Sequence, residues 1–150
     1  MAKMYHYQEC GLSNVWLENG YKVRKTAYGE ALAIEDVEGL YDSIACGLVE
    51  KSGPLTAREI RFLRKHLGVS QRVVADALGA DVQTVSRWER GKITIPPASD
   101  RLLRAYYREI KDGNARLKEL IDRLNELDNQ EVDRKLRLKR EVDGPWKLAA

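Results

Sequence analysis

Between Thr56 and Leu103 the chain carries three short helical patterns, each with its own start and stop signal, and this punctuation constrains the fold more than any other feature. Thr56 followed by Glu59 is a capping box, in which each side chain satisfies a backbone donor that the first helical turn leaves orphaned. A helix therefore starts here, carries Ile60, Leu63 and Leu67 on one face, and ends at Gly68. Ser70 is a good N-cap for a second helix, on which Val74, Ala75 and Leu78 face inward and Gly79 supplies the left-handed stop that a side chain would resist. Asp81 caps the third. There Val85 and Trp88, three residues apart, share the core phase and leave Val82, Gln83, Ser86 and Arg87 toward solvent.

Ala75 is small enough for two helix backbones to approach closely where they cross near a right angle, and Gly79 makes the turn between them. Gly91, Pro96 and Pro97 end the third helix and open a loop. Leu102, Leu103, Tyr106 and Ile110 then form a fourth amphipathic helix that closes the bundle.

The segment from about 55 to 111 resembles the Xre helix-turn-helix family, the class that includes phage repressors of the Cro and cI kind. The residues that carry the resemblance are LGVSQ at 67–71, Ala75, Leu78-Gly79, VQTVSRWERGK at 82–92 and the prolines that follow. The resemblance implies binding to double-stranded DNA. Base reading falls by position on Val82, Gln83, Ser86 and Arg87, and backbone clamping on Gln71, Thr84, Arg90 and Lys92. These residue types suit those roles. A guanidinium such as that of Arg87 bonds guanine in bidentate fashion, an amide such as that of Gln83 pairs with adenine, and Val82 suits a thymine methyl. Gln71 opens the second helix, whose N-terminus attracts a phosphate.

Charge is distributed in agreement. The whole chain carries +3, but residues 1–53 carry −3, residues 54–113 carry +5 and residues 114–150 carry +1, so the basic excess sits on the expected reader. No apolar run approaches the ~20 residues needed to span a bilayer, and the N-terminus lacks a signal-peptide core. The expected location is the cytoplasm, on the nucleoid, where two cysteines stay reduced.

The N-terminal region reads as a separate unit. Asn19-Gly20 lies between two partly alternating runs in VWLENGYKVR, a type I′ hairpin signal, and a further strand from about Ala31 to Glu35 joins it in a small meander. After Asp36, an N-cap, Val37, Leu40, Tyr41, Ile44 and Leu48 fall at helical spacing until Ser52-Gly53-Pro54. A small module before a helix-turn-helix resembles the MqsA-type antitoxins, whose N-terminal unit binds zinc through two Cys-x-x-Cys pairs. This chain departs from that pattern. It has only Cys10 and Cys46, with His6 and His66 as the other sulfur or imidazole candidates, so no metal or other cofactor is expected and both cysteines are assigned as small buried apolar residues.

Leu117, Leu120, Ile121, Leu124 and Leu127 form an apolar stripe beyond the fourth helix. It is assigned to a two-fold homodimer, since one reader makes few base contacts; packing on the fourth helix is the alternative. Beyond Asn129 the mixed-charge run is open between a solvated tail, an arm on phosphates and a strand alternating at Leu136 and Leu138.

The expected fold is α+β and mainly α: a small β-hairpin or meander with a helix over 1–53, the helix-turn-helix bundle over 54–111, and a helix with a charged tail over 112–150. The expected function is a transcriptional regulator, a repressor that reads an inverted repeat as a dimer. The alternative is an antitoxin whose N-terminal module binds a toxin protein while the reader represses the shared operon. No nucleophile–base pair, phosphate-cradling glycine loop or complete metal set is legible, so no enzyme is expected.

Overall fold

The computed structural model describes residues 3–113, 116–127 (the backbone alone over 124–127) and 136–149. The bundle forms where the caps require it. Helix α2 (Ala57–Leu67) begins at the capping box, with Thr56 N donating to Glu59 Oε1 at 2.9 Å and Glu59 N to Thr56 Oγ1 at 3.3 Å. It stops at Gly68, whose φ of 72° lies in the left-handed region. Helix α3 (Gln71–Leu78) is capped by Ser70, which accepts from Val73 N at 3.2 Å, and ends at Gly79 with φ 65°. Helix α4 (Val82–Glu89) is capped by Asp81, which accepts from Gln83 N at 2.9 Å. Helix α5 (Pro97–Lys111) starts on a proline, whose missing N–H is no loss at that position.

The expected core residues Ile60, Leu63, Val74, Ala75, Val85, Trp88 and Leu103 are all buried in one cluster. Phe62, Ala77 and Tyr107 are buried as well, because α2, α3 and α5 are each covered on more than one side. Helix α2 packs on α4, on α5 and on α1 (Val37–Glu50), and α3 packs on α4, α5 and α6 (Arg116–Leu127).

The core crosses the expected boundary after residue 53. Leu12, Ala45 and Leu48 belong to the same cluster as Leu55, Ile60 and Leu63. Helix α1 is capped by Asp36, which accepts from Gly39 N at 3.1 Å while itself adopting φ 49°. A Cβ on residue 39 would meet that carboxylate, so any other residue there would make the capping side chain turn aside.

The N-terminal strands form antiparallel hairpins as expected, but their pairing and turn differ. Strand β1 (Tyr5–His6) pairs with β2 (Trp16–Leu17), and β3 (Tyr21–Thr26) pairs with β4 (Gly29–Ile34), giving two separate antiparallel ladders in place of a meander. Asn19-Gly20 is therefore not the hairpin turn. It redirects the chain between the two ladders, with Gly20 at φ 79°, while the turn of the longer hairpin falls at Ala27-Tyr28. Six pairs from Tyr21↔Ile34 to Thr26↔Gly29 outweigh the local signal. Thr26 Oγ1 closes the turn by donating to Gly29 O at 2.7 Å and accepting from Tyr28 N at 3.3 Å.

Two further expectations are corrected. Cys46 is exposed and Cys10 half-buried. Position 46 follows the fully buried Ala45 on α1, and a helix turns the next residue about 100° away from the core. Leu117 and Ile121, assigned to an interface between subunits, pack instead against Ala77 and Tyr106 of the same chain, because α6 lies on α3 and α5. Leu120 points away and is 53% exposed, while the side chains of Leu124 and Leu127 lie outside the described residues. The tail contains a short hairpin, β5 (Leu138–Arg140) with β6 (Trp146–Leu148).

Candidate nucleic-acid interface

The exposed side of α4 is held in place by one ion pair beneath it. Arg64 of α2 donates through Nε to Glu89 Oε2 at 2.7 Å and through Nη2 to Glu89 Oε1 at 2.8 Å, a bidentate fork onto the last residue of α4. Its Nη1 donates to Val69 O at 3.1 Å. One guanidinium thus joins α2, the end of α4 and the turn that presents Ser70 and Gln71. Glu89 is buried, and its hydrogen bonds raise the Arg64 pKa against the opposing effect of burial.

On that frame Val85 and Trp88 plug the core, and the opposite side of α4 carries the expected readers. Gln83 and Arg87 are exposed and Ser86 is half-buried. Val82 is also half-buried and packs against the core, so only part of its surface faces outward. Thr84 and Gln71 are half-buried near the starts of their helices. Arg90 caps α4 at φ −90°, ψ 0°, with Nε 3.4 Å from Ser86 O, and Lys92 N returns to Arg87 O at 2.9 Å. Both are exposed beside the last turn. Among the described residues, the side chains of Gln83, Arg87 and Lys92 have no hydrogen bond or ion pair, so their donors are free for an external acceptor.

Three buried acids brace the domain, and of these only Glu59 was evident in the sequence, through its capping role. Besides Glu89, Asp100 accepts from Leu55 N at 2.7 Å through Oδ2, and its Oδ1 lies 2.7 Å from Arg104 Nε. Arg104 also donates to Lys51 O at 2.7 Å and Gly53 O at 2.6 Å, fastening the α1–α2 connection. Glu59 receives Lys51 Nζ at 2.7 Å. Burial opposes ionisation of Glu59, but the Lys51 and Thr56 hydrogen bonds prevail and hold its pKa below the ordinary glutamate value. Only the capping half of the Glu59 role has a local signal.

The residues considered for metal are dispersed among other partners. His6 stacks on Trp16 at 4.1 Å and bonds Ser13 O through Nε2, Cys10 Sγ lies 3.7 Å from Tyr7 O, and His66 Nε2 lies 2.8 Å from Asp42 Oδ1.

Comparison with known proteins agrees with this geometry. Residues 56–108 match the family profile of a helix-turn-helix domain. That span is therefore similar to helix-turn-helix domains, the class of module through which regulators bind DNA. No curated protein and no solved structure matches the chain. Among the described residues, no helix is long and apolar enough to cross a membrane.

Proposed function

We propose that the protein is a sequence-specific transcriptional repressor that lays α4 in the major groove and reads an inverted repeat as a dimer. The observation that carries this reading is the pairing of a locked frame with free donors. The Arg64–Glu89 fork fixes α4 against α2, while Gln83 and Arg87 on its outer side have no partner among the described residues. Gln83, Ser86, Arg87 and the outward part of Val82 read base edges. Gln71, Thr84, Arg90 and Lys92 hold the backbone on either side, and phosphate contacts of this kind fix register without carrying sequence information.

Repression follows from occupancy of a promoter. Dimerisation supplies the second reader, and the exposed Leu120 side of α6 is the proposed contact between subunits, since Leu117 and Ile121 are used within the chain. Selection of bound duplexes from a random library tests the reading: the enriched sequences should form an inverted repeat with half-sites about one helical turn, ~34–36 Å, apart. Recovery of duplexes without a shared motif contradicts it.

A further inference from the structure

A cleft of about 490 Å³ lies between α2 and the turn at Glu9–Gly11, and no residue of α4 lines it. Its α2 wall presents Arg58, Arg61 and Lys65, spaced three and four residues apart and therefore stacked along one face. Among the described residues, none of these three has a side-chain hydrogen bond or ion pair. Elsewhere on the bundle Lys51, Arg64 and Arg104 are each matched with an acid. Unmatched like charges in a concavity concentrate positive potential there.

The floor of the cleft is aromatic. Tyr41, Phe62 and His66 line it, with the Phe62 ring 5.9 Å from His66 at 23° and 5.5 Å from Tyr41. His66 is fixed by its contact with Asp42 and by stacking on Tyr107 at 6.1 Å. On the opposite wall the Glu9 carboxylate accepts from the Tyr5 hydroxyl at 2.7 Å, which places negative charge away from α2 and gives the cleft a direction.

We infer that this cleft is a binding site for a small organic anion with a flat body, its carboxylate or phosphate end toward Arg58, Arg61 and Lys65 and its ring over Tyr41, Phe62 and His66. Guanidinium forks match the planar oxygens of a carboxylate or phosphate. The volume falls within the range of small-molecule sites, and aromatic walls with a few convergent charges are their usual composition. The site requires no DNA, so it stands apart from the proposed function.

Benzoate and inorganic phosphate are suitable probes, titrated separately into the full-length protein and followed by NMR. Benzoate should give saturable shifts at the Gly11 amide, the Arg61 side chain and the His66 ring, with a Kd on the order of 10 mM or tighter for so small a fragment. Phosphate, which has no ring to place on the floor, should bind about tenfold more weakly. The double variant R61Q/K65Q should lose benzoate affinity by about tenfold or more, since it removes charge-assisted hydrogen bonds. Its melting temperature should match the wild type, because neither side chain has a partner to lose among the described residues. R58Q provides an independent check on the same wall. Absence of saturable benzoate shifts, undiminished binding by the variants, or phosphate binding as tight as benzoate would each overturn the inference.

Discussion

Arg64 and Glu89 are 25 residues apart in sequence, yet they meet in a two-point fork at 2.7 and 2.8 Å that joins the first helix of the DNA-binding domain to the end of its third. Both side chains are largely withdrawn from water, at 14% and 3% exposure. Removing one partner strands a buried charge, so Arg64→Ala or Glu89→Ala should each cost about 3–5 kcal/mol. That is a large part of the ~5–15 kcal/mol total stability of a small protein. Replacing both together, Arg64→Met with Glu89→Leu, should recover most of the loss. Denaturant unfolding measures this, and single variants within 1 kcal/mol of wild type, on the order of a surface pair, would show that the fork does not brace the domain.

Gly79 and Gly47 separate strain from space. An added Cβ meets nothing within 4 Å at either position, but Gly79 sits at φ 65° and Gly47 lies within α1 at an ordinary helical angle. Gly79→Ala should destabilise by about 1–2 kcal/mol through the left-handed backbone alone. Gly47→Ala should stabilise by about 0.5–1 kcal/mol, because alanine loses less conformational freedom in a helix. Thermal melts of the two variants should move in opposite directions; a shared direction would contradict the backbone argument.

Glu59 links stability to pH. Its pKa is lowered on folding from an ordinary 4.5, so its contribution is fully present above that value and is lost as pH falls through the lower folded value. The stability difference between wild type and Glu59→Gln should therefore be constant near neutrality and shrink on acidification below pH 4.5. A difference that does not change over that interval would show that the carboxylate is not held ionised by Lys51 and Thr56.

The helix-turn-helix was legible because its signals are local. Thr56 with Glu59, Ser70 and Asp81 each satisfy donors within three residues, and Gly68 and Gly79 fulfil a conformational demand on one residue. The outward placement of Gln83 and Arg87 follows from the same periodicity. What the sequence concealed is tertiary. Arg64, Glu89 and Asp100 look like solvated helix residues until α2, α4 and α5 pack, and the Asp100 bond to Leu55 N spans 45 residues. The Asn19-Gly20 signal was also local, but hairpin register is a property of two strands, and the ladder of Tyr21–Thr26 with Gly29–Ile34 places the turn elsewhere. The leucine stripe had the right period for helix α6, while period alone does not distinguish the chain's own Ala77 and Tyr106 from a second subunit.

Leu120 and Ile121 are adjacent but should respond differently. Ile121→Ala removes a side chain packed against Ala77 and Tyr106 and should destabilise by about 2–5 kcal/mol. Leu120→Glu changes an exposed position and should leave stability within about 0.5 kcal/mol, while shifting the protein toward monomer. Sedimentation of Leu120→Glu as an undiminished dimer would move the proposed contact away from this side of α6.

The most direct test of the account is the affinity of Arg87→Ala for a selected operator and for a random duplex, measured at one salt concentration. Arg87 is exposed on α4 with no partner among the described residues, and its proposed role is to read a base edge. The variant should lose about 1–3 kcal/mol on the operator, relax preference at one base pair, and leave the random duplex nearly unaffected. Arg90→Ala, at a proposed backbone contact, should weaken both duplexes alike. Equal losses on operator and random DNA for Arg87→Ala would contradict the claim that α4 reads sequence through this residue.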